Sequence, residues 1–148
     1  MERPWGSSGP AARPRRRPRG KREEVDYPGL LIGVAPLFLG LAVLSVVASR
    51  IGRGTDLEPN RYFGIRTRHT LRSAEQWNAG HLAARPALLA CAVVTATGYL
   101  TAVALIVAAP GTRPTGVVVL AVTLVVAVFL LITAAVTADR RARRLETP

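Results

Sequence analysis

Val117–Ala138 reads VVVLAVTLVVAVFLLITAAVTA, 22 consecutive residues without a charge. A helix rises about 1.5 Å per residue, and a hydrocarbon core of about 30 Å takes about 20 apolar residues to cross. In water the abundance of Val, Ile and Thr would suggest a strand. In lipid each segment must satisfy its own backbone groups, which only a helix or a closed barrel achieves. Two further uncharged runs lie upstream, Leu30–Ala48 (LLIGVAPLFLGLAVLSVVA) and Ala87–Ala109 (ALLACAVVTATGYLTAVALIVAA). Three such runs are too few to close a barrel. Buried helices in a soluble domain would need a large protein around them, and the rest of the 148 residues is polar and basic. The sequence therefore predicts an all-α integral membrane protein with three transmembrane helices.

The organisation follows from these runs. Residues 1–28 form a Pro/Gly-rich tail with Arg13, Arg15, Arg16, Arg17, Arg19, Lys21 and Arg22. Such a segment buries too little apolar surface to offset its ordering entropy, so disorder is expected. Its charge suits anionic lipid headgroups beside a span; no aromatic interleaving or folded basic element supports nucleic-acid binding. Its length before the first apolar run favours a retained helix over a cleaved signal peptide. Residues 29–138 are the three-span membrane domain, with spans at about 30–49, 87–109 and 117–138 and a long connection over 50–85. Residues 139–148 read as a basic C-terminal tail, frayed beyond Leu145. The 20 Lys and Arg residues divide almost evenly between the two sides, so the positive-inside rule assigns no orientation.

Within the spans no Asp, Glu, Lys, Arg or His occurs, which argues against an ion or proton relay. Small and hydroxyl residues mark helix-packing seams: Ala87, Cys91, Thr95, Gly98 and Ala102 in the second span, and Gly33 and Gly40 in the first, where Pro36 introduces a bend. A seam of this kind could also serve a homo-oligomer. Cys91 is the only cysteine, so an intrachain disulfide is excluded. The tight turn Pro110–Gly116 makes the second and third spans an antiparallel hairpin.

The connection Ser49–Arg85 carries both histidines and one of the two tryptophans. Ser73 and Gln76 form a capping box, with Glu75 in the first turn. The helix they open places Trp77 and His81 on one face at i,i+4. It runs on into the second span, with a kink near the membrane surface expected at Pro86, which has no N–H and clashes with the Leu82 carbonyl. Trp77 is expected at headgroup level. Two histidines without supporting ligands give no metal site, and GRG at Gly52–Gly54 lacks the strand and helix of a phosphate loop. No catalytic residue, metal or other cofactor is predicted.

The same connection resembles the SdpI family of bacterial membrane proteins. Asn60, Gly64, Ile65, Arg66 and Thr67 match N-x-x-x-G-I-R-T, Thr70 and Leu71 the following T-L, and Trp77 and His81 the W-x-x-x-H that opens the next span. The chain departs from the pattern at Arg68 and His69, where Pro-Trp is common, at Gly80, often Thr, and at Arg85, often Gly. The resemblance implies a bacterial plasma-membrane protein of the toxin-immunity and signalling type. Its partner would be a toxic peptide or a regulatory protein. A docking surface of Arg66, Trp77 and His81 is the functional expectation; the alternative is that these residues only clamp the loop, with Arg66 capping carbonyls. Two other classes remain open from the residues. A small transporter or transporter subunit would show a polar cavity at membrane depth. A membrane enzyme acting on an envelope intermediate would bring together Asp56, Glu58, Glu75, His69 and His81.

Overall fold

A computed structural model describes residues 25–51 and 63–145. Three long helices dominate it: α1 (Tyr27–Ala48), α2 (Ala74–Ala108) and α3 (Arg113–Arg144), with one 3-10 turn, Pro110–Thr112, between α2 and α3. All three are long and apolar enough to cross a membrane. Among the described residues there is no strand. The expectations for most of the N-terminal tail and for Asn60, Asp56, Glu58 and Gly52–Gly54 lie outside the described residues.

Each helix begins for a local reason. Asp26 caps α1, its carboxylate accepting from the Gly29 N–H at 3.0 Å. Ser73 caps α2, its hydroxyl accepting from the Gln76 N–H at 3.1 Å, one of the donors that a helix start leaves without a partner. α2 is one continuous helix of 35 residues that runs through Pro86. The turns on both sides of Pro86 are held by the bundle, since Ala84 and Leu88 are buried against Ala134 and Ala138 of α3. Residues 139–144 continue α3, because Ala142 is buried and its carbonyl accepts from Gln76 Nε2 at 3.4 Å.

α2 packs along α3 for its whole length and along α1 on another side. One apolar cluster joins Leu31 and Phe38 of α1, Ala102 and Ile106 of α2, and Leu120 of α3. A second, at the opposite end, joins Ala48, Ala84, Leu88, Ala134 and Ala138, with Phe63 and Ile65 of the loop laid against it. The α2–α3 seam is built from small residues: Cys91 faces Ala127 and Ala102 lies by Gly116 and Leu120, and Cys91, Thr95, Ala102 and Ala127 are all fully buried. The Cys91 thiol lies 3.8 Å from the Ala127 carbonyl, and Thr95 Oγ1 donates to the Cys91 carbonyl. A Cβ at Gly98 would collide with the Thr123 side chain, and one at Gly116 would lie 3.0 Å from the Ala102 carbonyl. Close backbone approach gives these helices the van der Waals contact that drives association in lipid.

Gly33 and Gly40 do not share this role. A Cβ at either would meet nothing within 4 Å, because α1 turns that side away from α2. The outward surface is apolar, with Ile32, Leu39, Leu100, Val107, Val125 and Phe129 each at least 65% exposed. That belt would be untenable in water and is what a bilayer requires.

Candidate functional site

At one end of the bundle the loop from Phe63 to Arg72 lies across the start of α2 and the end of α3. Its path is fixed from beneath. Trp77 and His81, one helical turn apart, pack with ring centroids 4.2 Å apart and planes tilted by 47° and are 1% and 0% exposed. Gly64 rests on them with φ +117°, a conformation L-residues rarely adopt. A Cβ there would lie 2.6 Å from Trp77 Cη2 and 2.7 Å from His81 Nε2. Glycine therefore serves twice, for the backbone angle and for the approach.

His81 fastens the next residue. Its Nε2 accepts from the Ile65 N–H at 2.8 Å, and its Nδ1–H donates to the Trp77 carbonyl at 2.9 Å. Both bonds together require the neutral ring with its proton on Nδ1. A second proton, on Nε2, would remove the acceptor that Ile65 uses. Thr70, also fully buried, closes the turn. Its hydroxyl donates to the Ile65 carbonyl at 2.9 Å and accepts from the Thr67 N–H at 2.9 Å. The Thr67 hydroxyl in turn accepts from the Thr70 N–H at 3.2 Å. Gly80 admits Thr70 to this position: a Cβ there would sit 2.9 Å from Thr70 Cγ2 and 3.2 Å from the Ala138 carbonyl.

The far side of the loop is tied to α3. His69 Nδ1 lies 2.9 Å from Asp139 Oδ1, and Arg143 Nε 2.8 Å from Asp139 Oδ2. Arg143 Nε is also 3.3 Å from His69 Nδ1. One nitrogen cannot donate to Asp139 and accept from Arg143 at once, and the shorter contact assigns the proton to the His69–Asp139 bond. Asp139 thus joins a loop residue 70 positions away. The apolar pattern did not single it out, because it is merely the first charge after the third run.

The signature residues therefore divide. Thr70, Trp77 and His81 are inside, and Gly64, Ile65 and Thr67 are half-buried. Arg66 and Leu71 are exposed, as are Arg68 and Arg72. This corrects two expectations. The Trp77 indole does not reach the headgroups, because the loop covers it. Trp77 and His81 do not form a docking surface with Arg66, because both rings are buried while Arg66 is exposed. The two histidines are likewise held apart by different partners, Asp139 for one and Ile65 with Trp77 for the other. Among the described residues no three His, Cys, Asp or Glu side chains gather in a metal-binding group.

Further along the spans, a groove of about 310 Å³ between α1 and α2 is lined by apolar side chains including Phe38, Leu39 and Leu100, with Thr95 and Tyr99 the hydroxyl residues at its wall. No charged side chain lines it.

Three membrane-length apolar helices with a folded loop packed at one end define a multi-pass helical membrane protein. Residues 56–137, more than half of the chain, match the model of the SdpI/YfhL protein family. The chain belongs to that family. The matched segment takes in the loop, all of α2 and most of α3, and leaves α1 outside. No curated protein and no solved structure matches the chain.

Proposed function

We propose that this chain is a non-enzymatic membrane protein of the immunity and signalling type in the bacterial plasma membrane, binding a peptide or protein partner through the outer face of the 63–73 loop. The observation that carries the reading is the division within the loop. Buried Trp77, His81 and Thr70, with Gly64 seated on the two rings, hold the backbone in one conformation, while Arg66, Arg68 and Leu71 are exposed on it. A guanidinium suits a carboxylate in bidentate geometry, and a backbone already fixed spares the cost of ordering the loop on binding. Leu71, 40% exposed, adds an apolar contact beside it. The partner this surface fits offers acidic and apolar groups together.

The test compares two classes of variant in the host. Arg66→Ala with Arg68→Ala is expected to leave protein level and melting temperature unchanged and to lower protection against a challenge peptide, or recovery of a co-purified partner. His81→Ala is expected to lower protein level itself. If the double arginine variant is fully expressed and retains both protection and partner recovery, the loop surface is not the binding surface.

A further inference from the structure

A second site lies on the flank of the bundle, away from the loop surface. Thr137, Arg140, Arg141 and Arg144 stand at i, i+3, i+4 and i+7 on α3, which places them on one helical face. With Ala83 of α2 they line a recess of about 290 Å³. The recess begins where the uncharged run Val117–Ala138 ends, at the boundary between hydrocarbon and water. Below it the same face of α3 is apolar and outward-facing: Phe129, three turns before Arg140, is 67% exposed, and Val122 and Val126, five turns before Arg140 and Arg144, are 55% and 38% exposed.

We infer that this recess holds the phosphate headgroup of an anionic phospholipid, with the acyl chains lying along the apolar surface beneath. Three arguments support that occupant. All three ionisable residues lining the recess are cationic, since Asp139 is turned to His69 and Arg143. Guanidinium groups match phosphate oxygens in fork geometry. The site also sits at the depth where a phosphodiester is found, and basic recesses between spanning helices are a recurrent form of lipid headgroup recognition. Ala83 contributes by being small, since a longer side chain would fill the recess from the α2 side. The inference is independent of the loop reading, because it shares no residue with Arg66, Arg68 or Leu71.

The test is native mass spectrometry and thermal melting of the full chain in detergent, titrated with phosphatidylglycerol, with phosphatidylcholine and with inorganic phosphate. Wild-type protein is expected to retain phosphatidylglycerol preferentially and to melt at higher temperature with it. Each arginine neutralised should weaken retention about fivefold, since a basic residue near an anionic surface contributes about that factor. Arg140→Gln, Arg141→Gln and Arg144→Gln are made singly and together, and melting without lipid verifies that each variant folds. A variant with the basic residues of the N-terminal tail neutralised should keep the preference, which separates this site from general attraction to the tail. Equal binding of phosphatidylcholine, an equal response to inorganic phosphate, or undiminished phosphatidylglycerol binding by folded variants would overturn the assignment.

Discussion

Gly64→Ala isolates the contact between the loop and the rings beneath it. At φ +117° an alanine is strained by about 1–3 kcal/mol. Its methyl group would also lie 2.6 Å from Trp77 Cη2 and 2.7 Å from His81 Nε2. Neither ring can swing aside, because both are enclosed by the protein, and overpacking of this kind costs about 1–3 kcal/mol. The two contributions come to roughly 2–6 kcal/mol. This cost falls on the loop, which can lift off without separating α2 from α3. Lifting exposes the Ile65 N–H, which His81 holds in the wild type. At about 1.4 kcal/mol per tenfold, exchange of that amide should quicken by at least about 30-fold. Hydrogen exchange of the purified protein in detergent micelles reads this directly, with amides of α3 as an internal control. If the Ile65 amide keeps its wild-type protection in a folded Gly64→Ala protein, the account of glycine as the close-approach residue is wrong.

The remaining predictions concern the seam and the ties. His81→Ala leaves the Ile65 N–H without its acceptor and opens a cavity beside Trp77; a loss of about 2–5 kcal/mol is expected, and an unchanged melting temperature would count against the clamp. Gly98→Leu should destabilise by about 1–3 kcal/mol through collision with Thr123, whereas Gly40→Ala, in open space, should be neutral or stabilise by about 0.5–1 kcal/mol; melting of the two side by side checks the contrast. Asp139→Asn weakens the ties to His69 and Arg143 at a partly exposed position, so less than about 1 kcal/mol is expected. Its signature is faster exchange over 67–72 with the melting temperature unchanged. Cys91, buried in the seam, should resist maleimide labelling in the folded protein and react once denatured; rapid labelling of the native protein would mean that the seam opens.

That the chain carries three membrane-spanning helices, and where α2 begins, is legible in the order of the residues alone. These are properties of single segments: an uncharged run of about 20 residues has one stable form in lipid, and Ser73 with Gln76 caps a helix through neighbouring atoms. The signature spacing also marked the loop that matters. What each signature residue does was decided only by the tertiary structure. Trp77 could have faced lipid headgroups or the protein interior with the same i,i+4 pattern. It faces inwards because Gly64, 13 positions earlier, can come down onto it, while Arg66 stays outside. The small residues of α1 and α2 look alike in sequence, yet Gly98 is packed and Gly40 is open, because α2 is flanked by α3 and α1 on two sides while α1 has a packed neighbour on only one. Asp139 with His69, and the arginine recess on α3, depend on how far the third helix continues past its apolar run. Periodicity within one segment carries no information on which atoms of another segment will stand opposite, and that pairing makes the signature loop a clamp with an outward face.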